Sequence, residues 1–162
     1  TELVSDQDVP RFAKLGVTAN FEPLWAREDG QLLSCVPQVG RSRIDTMYRM
    51  RDLTNAKAQL SFGSDWPVSS PVPLEGVATA VNRSLPGGAG WSLDQALTIR
   101  EALVAYTSGV ARQFGYAGTH GTLTDGEAAE FVVLSDNPFA LSGEQLFDLR
   151  VLAVSTVANP LN

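Results

Sequence analysis

The residues of this chain with the clearest chemical potential lie in the run Gln59-Leu60-Ser61-Phe62-Gly63-Ser64-Asp65-Trp66-Pro67-Val68, where an apolar, strand-like stretch ends abruptly at Gly-Ser-Asp. A carboxylate just past the C-terminal end of a buried strand sits where barrel and doubly wound enzymes keep proton-transfer and metal-binding groups. Glu22 closes a second strand-like run, Val17 to Phe21, and could line the same mouth if the strands are parallel neighbours. Trp25 and Trp66 follow the two strand ends and could wall a small-molecule pocket. Each has a plainer reading as well: a turn or cap for Asp65, a solvated or capping role for Glu22, and loop packing for the two tryptophans. Ser64 has no histidine nearby to act as base and no Gly-x-Ser-x-Gly turn, so nucleophilic catalysis is set aside. The chain holds one His, His120 in a Gly-rich turn, and one Cys, Cys35. With a single His and a single Cys in the chain, the site that Asp65 announces cannot be completed from these residues.

The elements that must position these groups can be read from periodicity. Ser5 or Asp6 reads as the N-cap of a helix of about ten residues, with Asp8 and Pro10 in its first turn and Gly16 stopping it. Val17 to Phe21 suits a strand, Leu24 to Val39 reads as a loop that carries at most a helical turn, and Arg41 to Ala58 has the spacing of one amphipathic helix. Leu60 to Phe62 is the second strand, so the order helix, strand, loop, helix, strand has the rhythm of a parallel sheet or barrel. Pro67, Pro71 and Pro73 postpone the next helix to Leu74, and Leu85 to Gly90 is a loop. Thr98 and Glu101 form a capping box ahead of a helix that Gly109 breaks, and Gly115 stops the piece beyond. Thereafter Thr122-Leu123, Glu130 to Leu134 and Val151 to Val157 read as short strands separated by turns. The change at about residue 116 divides a βα part, 1–115, from a β-rich tail, 116–162.

Composition bounds the class. The 162 residues are 44% hydrophobic and 19% charged, a globular balance. A net charge of −6 with only 12 Lys and Arg argues against a nucleic-acid surface. The nearest basic cluster, Arg41, Arg43, Arg49 and Arg51, is interrupted by Asp45 and Asp52 and reads as a solvated helix face. No stretch approaches the ~18 apolar residues of a membrane helix, and a lone cysteine makes a cytoplasmic origin the default. The first residue is Thr, not Met, and the chain reads as one that starts in mid-protein.

Four ordered stretches carry a family resemblance: Val4-Ser5-Asp6-Gln7-Asp8-Val9-Pro10-Arg11-Phe12-Ala13-Lys14-Leu15-Gly16-Val17, Phe62-Gly63-Ser64-Asp65-Trp66-Pro67-Val68, Glu101-Ala102-Leu103-Val104-Ala105-Tyr106-Thr107, and Gly121-Thr122-Leu123-Thr124-Asp125-Gly126-Glu127-Ala128-Ala129-Glu130-Phe131-Val132-Val133-Leu134. Together they resemble the C-terminal part of a metal-dependent amidohydrolase, in the family 3 branch that includes N-substituted formamide deformylases. The resemblance implies an α/β fold: the last two βα units of a (β/α)8 barrel, with Val17 to Phe21 and Leu60 to Phe62 as the seventh and eighth strands, followed by C-terminal strands of a small composite β-sandwich. It implies that the family's His-x-His pair, bridging Lys or Glu and later His ligands lie outside this chain. Only Asp65 transfers, as the carboxylate that ligates metal and moves the proton of the attacking water.

The expectation that follows is a fragment without activity of its own, binding no metal. Its parent would use zinc or another divalent ion to hydrolyse a small amide-like C–N bond. The alternative is a folding or interaction module that pairs with the missing N-terminal part or with a second copy. Departures from the family pattern are Glu130 where relatives commonly carry Asp, and the ending Asn159-Pro160-Leu161-Asn162 in place of a Gly-containing turn and a further strand.

Overall fold

The computed structural model describes residues 1–159, so the expectation about Pro160 to Asn162 lies outside the described residues. Helix α1 (Val9–Leu15) begins after Asp8, later than Ser5 or Asp6, because the Ser5 hydroxyl and carbonyl are spent on a turn with Asp8. Gly16 ends it at φ 66°, a left-handed conformation that glycine adopts without strain. The chain then enters strand β1 (Thr18–Phe21), which pairs in parallel with β2 (Gln59–Phe62). Phe21 stands opposite Phe62, and the Gly63 N–H donates to the Phe21 carbonyl at 3.0 Å, so the two strands end level.

The crossover between them differs from its sequence reading in two ways. Residues 24–39 are not a loop: Pro23–Trp25 makes one 3-10 turn, and α2 (Gly30–Val39) follows. The Asp29 carboxylate accepts from the Gln31 and Leu32 N–H groups at 3.0 Å each, and this cap starts a helix that Gly30 and Pro37 argued against. Residues 41–58 are not one helix but α3 (Arg41–Ile44) and α4 (Met50–Asn55), parted at Tyr48, where φ is 52°. The apolar positions Ile44, Met47, Tyr48, Met50 and Leu53 are buried as the spacing required. The backbone between the two helices is taken by the N-terminal segment: Tyr48 N–H donates to the Glu2 carbonyl at 2.7 Å, and Leu3 bridges Met47.

The four arginines are not a solvated face either. Arg41 and Arg43 are exposed, but Arg49 pairs with Asp6 and Asp52, and Arg51 makes a forked pair with Glu101 at 2.7 and 2.8 Å. Asp52 stands at helical spacing from Arg49, but Asp6 and Glu101 lie 43 and 50 positions from their arginines, beyond any helical pattern.

Helix α5 (Pro73–Asn82) starts with proline at its first position, where no N–H is needed. The Thr98 and Glu101 capping box is present at the head of α6 (Ile99–Tyr106). The break before α7 (Ser108–Gln113) falls at Thr107, and Gly109 lies inside that helix. Strands β3 (Phe131–Leu134) and β4 (Val151–Ser155) form an antiparallel pair; Thr122 and Leu123 are irregular. The result is a mixed α/β chain with a parallel and an antiparallel two-stranded sheet among the described residues.

The core gathers on the parallel pair. Ala19 and Phe21 of β1, Met50 and Leu53 of α4, Val77 and Ala80 of α5, and Ala102 and Ala105 of α6 bury around Phe62. Phe62 meets Phe21 and Tyr106 edge to face, with ring centroids 6.5 and 5.2 Å apart, so the strand ends rest on a packed aromatic cluster. No helix among the described residues is long and apolar enough to cross a membrane.

Candidate functional site

Parallel pairing sends Glu22 and Asp65 out of the same end of the sheet, because Phe21 and Phe62 are register partners and each carboxylate follows its strand within three residues. Asp65 is exposed, with φ 51°, a left-handed conformation that Asp tolerates better than most residues. Its carbonyl accepts from the Val68 N–H at 2.8 Å, while its carboxylate has no donor among the described residues. The side-chain turn role falls instead to Ser64, whose Oγ accepts from the Trp66 N–H at 3.3 Å. Ser69 donates its hydroxyl to the Ser64 carbonyl and ties the loop back on itself. The bend after β2 is thus held by serines and backbone, and Asp65 keeps a free carboxylate.

Glu22 is half-buried and acts electrostatically on two phenols below it. Burial is the main force pushing the hydroxyls of Tyr106 and Tyr48 well above their ordinary range, and the charge of Glu22 adds to it at both, with Glu75 also acting on Tyr106 and Glu2 on Tyr48. Trp25 is half-buried in the turn after β1, and its Nε1 is buried without an acceptor among the described residues. An unpaired buried N–H costs about 1–3 kcal/mol. Trp66 is 68% exposed and packs little.

Between the segment after β1 and the segment after β2 lies a cavity of about 230 Å3 whose walls include Trp25, Arg27, Asp29, Ser69, Ser70 and Glu75. Trp25, Arg27 and Asp29 are near neighbours in the chain, and parallel pairing together with the packing of α5 on the turn after β1 brings Ser69, Ser70 and Glu75 to them. His120 and Cys35 are engaged locally. The His120 ring is 2.9 Å from the Thr119 hydroxyl and 3.8 Å from a Glu130 oxygen, and the Cys35 thiol donates to the Gln31 carbonyl at 3.4 Å.

Among the described residues there is no group of three or more His, Cys, Asp or Glu side chains that could hold a metal ion. One free carboxylate does not make a divalent-metal site.

The match to known proteins runs almost from end to end. Residues 1–159 match the model of the amidohydrolase family. The chain belongs to the amidohydrolase family. This amidohydrolase chain is 32% identical over 142 residues to an N-substituted formamide deformylase of Arthrobacter pascens, covering 88% of the chain and 26% of that protein. It is 33% identical over 129 residues to the Protein LONG AFTER FAR-RED 3 of Arabidopsis thaliana, covering 78% of the chain and 22% of that protein. Among solved structures it is similar to a metal-dependent hydrolase of Pyrococcus horikoshii, with a TM-score of 0.72 and 31% identity over 88% of this chain and 29% of that one. The amidohydrolase chain thus spans about a quarter of the length of the relatives it matches.

Proposed function

We propose that this chain is the C-terminal portion of a metal-dependent amidohydrolase that cleaves a small amide-like C–N bond, and that Asp65 is its proton-transfer carboxylate. The observation that carries the reading is the free Asp65 carboxylate at the end of β2, in a chain whose family match covers residues 1–159. In this reading β1 and β2 are the last two strands of a barrel, residues 1–115 belong to that barrel, and residues 116–162 contribute to a small β-sandwich. The likeness to an N-substituted formamide deformylase supports a small amide as the substrate class.

Asp65 accepts a proton from water as the water oxygen adds to the amide carbon. It returns that proton to the nitrogen as the C–N bond breaks, giving a carboxylic acid and an amine. Glu22, leaving the same end of the sheet, and Trp25 and Trp66 beside it contribute walls to the substrate pocket. The ligands for zinc or another divalent ion belong to residues outside this chain, and the chain alone is inactive.

Asp65→Asn in the full-length protein is expected to lower kcat by about 10²- to 10⁴-fold with folding unchanged. An unaltered rate would remove Asp65 from the chemistry. Metal analysis of the pure 162-residue chain is expected to find no tightly held stoichiometric metal; one equivalent of zinc would show that the site is complete within it.

A further inference from the structure

We propose that Ser69 is a positioning residue for Asp65: its hydroxyl fixes the peptide plane that leads into Asp65 and so sets the direction in which the carboxylate leaves the backbone. This rests on the hydrolase reading above and adds a residue to it.

The sequence sets the problem. Pro67 and Pro71 have no N–H to give, so the segment between β2 and α5 is short of backbone donors. In a turn, the Ser64 carbonyl would accept from the N–H three positions on, and that position is Pro67. A side chain supplies the donor instead. Ser69 Oγ donates to the Ser64 carbonyl from five residues further along the chain.

That carbonyl belongs to the Ser64–Asp65 peptide, which is planar, so any rotation of the plane is shared between ψ of Ser64 and φ of Asp65. Asp65 stands at φ 51°, a conformation that an L-residue keeps where its surroundings impose it. Turning the plane over would carry Asp65 to negative φ, swing its Cα–Cβ bond and break the bond from Ser69. The peptide on the other side of Asp65 is held as well, because the Asp65 carbonyl accepts from the Val68 N–H at 2.8 Å. One residue at positive φ and one neutral hydrogen bond weigh about the same, each on the order of fivefold to tenfold in an equilibrium. A single hydroxyl is therefore enough to decide which way the plane faces.

Ser69 is placed to act as an anchor. It is half-buried and lines the cavity opposite Trp25 and Arg27 of the segment after β1. Helix α5, which begins four residues later, packs on that same segment and holds this end of the loop to the body of the molecule. Ser70 faces the other way along the chain: its Oγ accepts from the Val72 N–H at 3.3 Å, at the entry to α5, and does not reach Ser64.

Two measurements test the assignment. In the 162-residue chain labelled with ¹³C and ¹⁵N, the one-bond Cα–Hα coupling of Asp65 separates positive from negative φ. It is expected to keep its positive-φ value in Ser69→Thr, which retains the hydroxyl, and in Ser70→Ala, and to move toward the negative-φ value in Ser69→Ala. An unmoved coupling in Ser69→Ala, or the same movement in Ser69→Thr or Ser70→Ala, overturns the proposal. In the full-length protein, with amine release from N-propylformamide as the assay, Ser69→Ala is expected to lower kcat about three- to tenfold with KM unchanged. In an Asp65→Asn background the same substitution should lower kcat no further, because the two residues act as one unit. Equal losses in both backgrounds would show that Ser69 does not act through Asp65. A full-length protein that releases no amine, or an Asp65→Asn variant as fast as the unaltered one, sinks the hydrolase reading, while the coupling of Asp65 decides the role of Ser69 by itself.

Discussion

Glu101 serves two partners at once. Its carboxylate closes the capping box of α6 by accepting from the Thr98 N–H at 2.8 Å, and the same group takes the forked pair from Arg51 of α4. Arg51 also donates to the Ala96 carbonyl from Nε at 3.1 Å and Nη2 at 2.9 Å. The Arg51 hydrogen bonds are the largest influence holding the Glu101 carboxyl down, from an ordinary 4.5 to about 2; partial burial opposes them, and the Thr98 bonds add to them. A carboxyl whose folded value lies below its unfolded one stabilises the fold above about pH 4.5 and loses that contribution as pH falls toward 2. Glu101→Gln should therefore lower stability at neutral pH by about 1–2 kcal/mol, discounted for partial exposure. It should also flatten the loss between pH 4.5 and 2 in urea titrations; an unchanged acid slope would show that other carboxyls govern it. At this scale Asp65 was legible in the sequence, because Gly-Ser-Asp after an apolar run marks a strand end. The role of Arg51 was not, because its partner stands 50 residues away.

Helix α7 can rest on β2 only because of a missing side chain. A Cβ on Gly109 would stand 2.3 Å from the Leu60 carbonyl oxygen and 3.0 Å from that of Val104, both backbone atoms that cannot swing aside. Gly109→Ala should destabilise the chain by about 3 kcal/mol, the upper end for an overpacked site. Gly30→Ala, which meets nothing within 4 Å, should be neutral or slightly stabilising. Equal urea midpoints for the two variants would show that α7 can shift off the strand. Local pattern suggested that Gly109 ends a helix, whereas packing makes it the contact point of one. Arg83 shows the same priority of packing over pattern. It closes α5 at φ 54°, fully buried, with its guanidinium 4.7 Å from the Trp91 ring centre and its Nη1 donating to the Tyr48 carbonyl at 3.2 Å. Burial lowers its pKa to about 10, and its Nη2 has no acceptor among the described residues.

At the level of the whole molecule, the described chain shows more apolar strand than it covers. In β3 and β4, Val132, Val133, Val151, Leu152 and Val154 are 41–64% exposed, although near-continuous apolar runs of this kind belong to strands buried on both faces. A two-stranded ribbon is marginal without a layer over it, and contiguous apolar surface promotes association. The 162-residue chain by itself is expected to self-associate with rising concentration in light scattering, and Val133→Lys should reduce that association. A monomer at all concentrations would show that the ribbon needs no cover. This exposure also favours the second reading of the chain, as a module that pairs with further polypeptide or with another copy of itself.

The sequence alone determined what depends on near neighbours. The two strands on either side of the crossover, the capping box at Thr98, the helix stop at Gly16, the carboxylate after β2 and the family likeness all rest on residues within a few positions of one another, where propensity and periodicity act. Tertiary structure decided the rest. It split residues 41–58 at Tyr48 because the N-terminal segment needed that backbone for hydrogen bonds, and it drew Arg49 and Arg51 inward to distant acids. It also gathered a polar cavity from the segments after β1 and β2 and the first turn of α5, which parallel pairing and helix packing bring side by side. Contacts across tens of residues are set by burial and by which backbone groups remain unpaired, and no local pattern encodes them.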